Sequence, residues 1–197
     1  AEMKRLVTRI FIALLFLLLV SCASQGRLVT ASTGINIFND MTVDSSLDWA
    51  RMRFPEAQLW TIDGSHLNQF VFISKVRANE HVFLSGRERR SRPDGPWFRP
   101  GMRPDEVQNI MLDGWRQGGF AKVSASNLRP ARYGNVEGLR FDVTMTNQNG
   151  LIYKGTAGAV ERDGRLNVMF WIAPQEHYYG RDIAAIDKMF NSFRFIK

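Results

Sequence analysis

Three histidines (His66, His81 and His177) and one cysteine (Cys22) are all the imidazole and thiol ligands this chain offers a metal. A zinc or acid–base site needs such groups to converge beside carboxylates, and neither an H-x-x-x-H nor a C-x-x-C spacing is present. His66 falls at a turn, His81 at a strand start and His177 in a loop, so each reads as a solvated or hydrogen-bonded side chain. No metal or cofactor is expected. No serine occupies a G-x-S-x-G elbow, and Asp63, Glu80 and Glu176 are isolated carboxylates. The densest chemistry is cationic. Arg87, Arg89, Arg90, Arg92, Arg99 and Arg103 interleave with Trp97 and Phe98 between residues 86 and 104, a mixture suited to an anionic partner. The plainer reading is a solvated loop whose Trp97 and Phe98 fold back onto the body.

The single cysteine has a context. Ala1 and Glu2 precede Met3 and read as a cloning remnant or an over-long start. From Met3 a basic segment (Lys4, Arg5, Arg9) leads into 11 uninterrupted apolar residues, Ile10 to Val20. A membrane-spanning helix needs about 20 apolar residues, whereas about 7–15 behind a positive flank is the apolar core of a signal peptide. Leu19-Val20-Ser21-Cys22 follows at its end and resembles the lipobox of bacterial lipoproteins. That resemblance implies removal of residues 1–21, lipidation of the Cys22 sulfur (labelled by palmitate) and attachment to a membrane. Ala23 and Ser24, in place of an aspartate, imply outer-membrane delivery with the domain facing the periplasm. An odd cysteine in an exported chain then has its explanation.

Export also limits what the arginines touch, since nucleic acid is not expected as a partner outside the cytoplasm. Lipid burial yields about 0.8 kcal/mol per methylene, and two chains anchor stably. Each surface arginine adds at most about 1 kcal/mol near anionic lipid. The basic loop is therefore not needed for attachment, and is expected to orient the domain or engage an envelope protein or anionic envelope component.

The elements that position these groups follow from periodicity. Residues 1–21 carry three of the 26 basic and one of the 19 acidic side chains, so the rest of the chain has a net charge of +5. Residues 22–33 read as the lipidated cysteine and a tether, and residues 34–197 as one domain. Ile35, Ile37, Met41 and Val43 alternate as an opening strand or hairpin. Residues 45–53, with Leu47, Trp49 and Met52, read as a short helix. Trp60 to Ile62, Phe70 to Val76 and His81 to Ser85 read as strands. Pro104 opens a helix with Asp105 and Glu106 in its first turn, Val107, Ile110, Met111 and Trp115 on one face, and Gly118-Gly119 at its end. Phe120 to Ala125 reads as a strand. Leu139 to Thr146 alternates cleanly, Leu151 to Val160 returns after Asn149-Gly150, and Leu166 to Ala173 is apolar on both faces. Asp182 is expected to cap a last helix carrying Ile183, Ile186, Phe190 and Phe193.

This is an α+β pattern, an antiparallel meander with a helix before and a helix after. With the closing Ser192-Phe193-Arg194-Phe195, it resembles the PsbP-like α/β sandwich of small exported lipoproteins, where such a helix packs across the sheet. The tryptophans at 49, 60, 115 and 171 are expected in the core, and Tyr178, Tyr179 and Trp97 are candidates for a cleft rim. The functional expectation is a non-catalytic, membrane-anchored envelope domain that binds through its basic loop. Its rivals are a cell-envelope hydrolase or transferase assembled from Asp63, His66 or Glu176, and a structural subunit of an envelope assembly.

Overall fold

The computed structural model describes residues 26–84 and 86–196, so the expected signal segment and Cys22 lie outside the described residues. Six strands come first: β1 (Arg27–Val29), β2 (Ser32–Ile37), β3 (Met41–Ser45), β4 (Trp49–Arg53), β5 (Ala57–Thr61) and β6 (Gln69–Val76). Helix α1 (Pro104–Gln117) leads into β7 (Lys122–Tyr133), β8 (Val136–Thr146), β9 (Ile152–Arg162) and β10 (Arg165–Pro174), and α2 (Gly180–Ser192) into β11 (Arg194–Phe195). The strands form an eight-stranded sheet, ordered β1-β4-β5-β6-β10-β9-β8-β7, and a three-stranded one, β11-β3-β2.

β10 sits between β9 and β6 near the middle of the large sheet, and its composition explains why. From Leu166 to Pro174 every residue is buried, which suits a strand covered on both faces. Val168, Phe170 and Ile172 join the core under α1, while Met169, Trp171 and Ala173 join the core under α2. The meander β7 to β10 and the two flanking helices give the expected α+β layout.

The two faces are closed by different means. On one, α2 and the small sheet cover a run of rings. Trp60 meets Phe72 at 4.8 Å, Phe70 stacks on Phe190 at 5.3 Å, and Phe193 reaches Phe72 at 5.7 Å between centroids. Gly158 lets this face close, because a Cβ there would lie 2.0 Å from the Tyr133 hydroxyl, which donates to the Leu139 carbonyl. Arg140 is buried against the Phe190 ring, donates to Thr156 Oγ1 and pairs with Asp187 of α2. On the other face, α1 covers β7 and β8, and the chain between β6 and α1 covers the rest. α1 begins where the sequence places it, with Pro104 at its first turn and Glu106 accepting from the Arg103 backbone N–H at 2.8 Å.

Several boundaries differ from expectation. Residues 45–53 are not a helix; Trp49 to Arg53 is strand β4, paired with β1 and β5. The apolar spacing of Leu47, Trp49 and Met52 suits a helix, but pairing on two sides satisfies the backbone of this stretch more fully than one short helix turn would. The fold also takes in Arg27–Val29 and Ser32 onward, so the expected tether over residues 22–33 overlaps β1 and β2. His81 to Leu84 forms a turn held by isolated bridges and not a strand, while Ser85 lies outside the described residues. Asp182 is not a cap. α2 starts at Gly180, and Asp182 is a buried carboxylate in its first turn. The last helix ends by pairing Arg194 and Phe195 with Thr42 and Met41, which ties the chain terminus to β3.

Candidate functional site

The chain from Arg77 to Arg103 carries all six sequence-predicted arginines, and its described residues (all but Ser85) follow a defined path despite the prolines and glycines. Its backbone is pinned to itself: Asn79 N–H donates to the Phe98 carbonyl at 2.8 Å, Phe98 N–H to the Glu80 carbonyl at 2.9 Å, and Val82 N–H to the Pro96 carbonyl at 3.0 Å. Apolar side chains supply the driving force. Phe98 and Val82 are fully buried, and Phe83 packs on Trp115 at 5.0 Å and on Phe170 at 5.3 Å. Gly114 makes room for it, since a Cβ on α1 at that point would sit 2.6 Å from the Phe83 ring.

His81 organises the turn. Its Nδ1 accepts hydrogen bonds from the Phe83 and Leu84 backbone N–H groups, each at 3.0 Å, and its Nε2 lies 3.3 Å from Gln117 Oε1 on α1. An imidazole accepting at Nδ1 must be unprotonated there, so the ring is neutral with the proton on Nε2. Burial lowers its pKa below the usual value, and the Gln117 hydrogen bond opposes that shift. Trp97 stands edge-on to this ring at 5.9 Å.

Within this frame the arginines divide. Arg87 pairs with Glu80 at 3.2 Å, Arg99 with Glu88 at 2.9 Å, and Arg103 with Asp105 at 3.2 Å. Arg89, Arg90 and Arg92 occupy a tight turn closed by the Arg92 N–H on the Arg89 carbonyl at 2.8 Å. All three are exposed and make no ion pair among the described residues. Arg89 and Arg92, with Asp94, rim a cleft of about 660 Å³ that reaches His81, Trp97 and Gln117. Guanidinium groups this close on a tethered turn suit a multivalent anion, such as adjacent carboxylates or phosphates, because their forked donors match those oxygens.

The other candidates fare differently. Trp97 is 8% exposed, so it lies under the arginine turn and is not a free surface contact; its buried Nε1 has no hydrogen-bond partner among the described residues. A rim formed by Trp97, Tyr178 and Tyr179 does not exist. The tyrosines pack on the α2 side and Trp97 on the α1 side, with the sheet between them. The acid–base set also comes apart. Asp63 is committed to Arg181 and accepts from Asn68 Nδ2 at 2.9 Å, while Asp182 holds the same guanidinium at 2.7 Å. This cluster ties the β5–β6 turn to the start of α2, and the hydrogen bonds that Arg181 donates to Asp182 and then Asp63 raise its pKa. The exposed side chains of His66 and Glu176 make no hydrogen bond to it among the described residues.

Sequence reasoning missed a second cationic group. Arg27 on β1 pairs directly across from Arg51 on β4, with Arg53 two residues further on the same face. The signal was the alternation Trp49-x-Arg51-x-Arg53, which only a strand would place on one side. Among the described residues no helix is long and apolar enough to cross a membrane, and no group of three or more His, Cys, Asp or Glu is placed to hold a metal ion.

A large antiparallel sheet with a helix on each face is an α+β sandwich. The solution structure of the cyanobacterial PsbP protein CyanoP, from Synechocystis sp. PCC 6803, shares that architecture: TM-score 0.54 at 8% identity, covering 88% of this chain and 94% of that one. LpqN of Mycobacterium tuberculosis, a protein involved in cell envelope biogenesis, matches at TM-score 0.46 and 13% identity over 87% of this chain and 91% of that one. A Bacteroides thetaiotaomicron VPI-5482 protein matches at TM-score 0.44 and 10% identity over 88% of this chain, which spans about half (49%) of that protein's length. No protein-family model matches the sequence, and no curated protein matches it. The chain has the PsbP-like α+β sandwich fold; at such identities the likeness concerns architecture alone.

Proposed function

We propose that this chain is a lipid-anchored protein of the bacterial envelope whose domain binds an anionic envelope component through the Arg89-Arg90-Arg92 turn and performs no chemistry of its own. The observation that carries the reading is the division of charge in the loop: acidic neighbours neutralise Arg87, Arg99 and Arg103, while the three exposed arginines at the tip make no ion pair among the described residues. A packed, self-bonded loop presents them at little further entropy cost, which favours tight recognition. The anchor is read from Leu19-Val20-Ser21-Cys22, and Ala23-Ser24 favour the outer membrane facing the periplasm.

Affinity capture of the lipidated chain from its own envelope, beside a Cys22→Ser control, tests both parts. Palmitate is expected to label the wild type and not the control. An Arg89→Glu/Arg90→Glu/Arg92→Glu chain is expected to lose its captured partner while melting like the wild type. A partner retained in full by that triple variant excludes the loop as the binding surface, and an unlabelled wild type excludes the anchor.

A further inference from the structure

β1 is the outermost strand of the large sheet and carries Arg27 at its N-terminal end. Its antiparallel register sets Arg27 against Arg51 and Val29 against Trp49, so the chain enters the fold from the end of β4 that bears Arg53. That corner concentrates positive charge. Arg27 and Arg53 are exposed, Arg51 is half-buried with its Nε lacking any hydrogen-bond partner, and none of the three has an ion pair among the described residues. Burial, then the adjacent Arg53 and Arg27 charges, lower the Arg51 pKa, which marks the group as uncompensated. The nearest acidic residues in sequence lie to either side: Asp48 accepts from the Ala31 N–H beyond the far end of β1, and Glu56 sits in the turn after β4. The same edge exposes one large apolar side chain, Leu28 (66%), whereas the exposed Phe54 leans the other way, into a cleft shared with Ile73, Val76 and Glu80. Leu28 lies opposite Ala50, so it points away from Arg27 across the strand.

Chain length decides what this corner meets. Cys22 stands five residues before Arg27, and a polypeptide spans at most about 3.6 Å per residue, so a lipid on Cys22 holds Arg27 within about 18 Å of its membrane. We infer that the β1–β4 edge, with Arg27, Arg51 and Arg53 beside Leu28, is the surface by which this domain rests on anionic lipid headgroups next to its own anchor. The arginines take the phosphate layer and Leu28 reaches the boundary beneath it, so the sheet stands edge-on to the bilayer. The lipid supplies attachment and the edge supplies orientation, which turns the opposite parts of the domain toward a partner. The inference takes only the anchor from the proposed function and does not depend on the Arg89-Arg90-Arg92 turn.

The test uses the chain from residue 22 with Cys22→Ser, which keeps every described residue and removes the lipid. Flotation is compared between vesicles of phosphatidylglycerol mixed with phosphatidylcholine and vesicles of phosphatidylcholine alone. Selective flotation with the anionic vesicles is expected. Each arginine near such a surface contributes about fivefold in partitioning, so Arg27→Gln/Arg53→Gln is expected to weaken it on the order of 25-fold. The Arg89→Glu/Arg90→Glu/Arg92→Glu chain should float like the wild type. Equal flotation of the Gln variant and wild type overturns the inference, as does loss confined to the loop variant. Self-association of the Gln variant with flotation unchanged also overturns it, since the arginines would then only guard the strand edge against pairing. Failure of palmitate labelling overturns the anchor of the proposed function and with it the placement of this edge beside a lipid, whereas equal flotation overturns the edge alone.

Discussion

The two faces of the large sheet bury comparable cores by unlike means. On the α2 face a regular helix and a small sheet close over a run of aromatic rings, and the buried Arg140 is satisfied by Thr156 and Asp187. On the α1 face half of the cover is irregular chain, held by His81, Glu80 and a few backbone hydrogen bonds. A face closed by regular elements spends its side chains on packing. A face closed by a loop leaves charged side chains outside, and there the unpaired Arg89, Arg90 and Arg92 are found. With the function proposed above, the difference puts stability on one side and recognition on the other.

The largest effect expected lies on the α2 side. Phe70→Ala removes a fully buried ring that touches Trp49, Phe72, Phe190 and Phe193. It should cost about 3–5 kcal/mol in urea unfolding; a cost under about 1 kcal/mol would break the assignment of stability to this face. Next is Asp187→Ala, which strips the carboxylate from the buried Arg140 guanidinium. Hydrogen bonds to charged groups contribute about 1.5–3 kcal/mol, and the half-exposed Asp187 points to the lower end of that range.

Mild acid, above the range in which the depressed Asp44 carboxyl of β3 titrates, should then loosen only the α1 face. His81 is neutral in the fold, so its contribution is complete above the unfolded value near 6.5 and is lost as pH falls through the lowered folded value. Hydrogen exchange across residues 80–98 should quicken on acidification, with β10 and α2 unchanged, and His81→Gln should abolish that pH response. Parallel loosening of both faces would show them to be one cooperative unit. The smallest effect belongs to the loop tip, where the triple Glu variant should alter stability by less than about 0.5 kcal/mol, since surface substitutions rarely do more.

Much of this contrast was legible before folding. Period-two alternation marked β8, uninterrupted apolarity marked β10 as central, and Pro104 with its acidic neighbours marked the start of α1. The six arginines were visible as a cluster, but not their division, because Glu80 and Glu88 are brought to Arg87 and Arg99 by the path of the loop. The Arg27–Arg51–Arg53 corner was hidden for a related reason. Residues 45–53 have helix-like spacing, and only pairing with β1 and β5 sets Arg51 and Arg53 on one face beside Arg27. Trp97 and Phe98 fold back onto the body, as the plainer reading of the loop expects, but the place of Trp97 beside His81 depends on α1 and Gln117 lying behind it.

By itself the sequence determined what local physics decides: the apolar segment before Cys22, the strand and helix periodicities, the α+β class and a net positive charge. Tertiary structure alone decided which charges remain free, since that depends on partners distant in sequence meeting across a sheet or a loop. Neutralisation falls steeply with distance: Arg99 is paired because the loop brings Glu88 to 2.9 Å from it, while Arg92 on the same stretch makes no ion pair among the described residues. That placement is set by packing, which no single stretch of chain encodes.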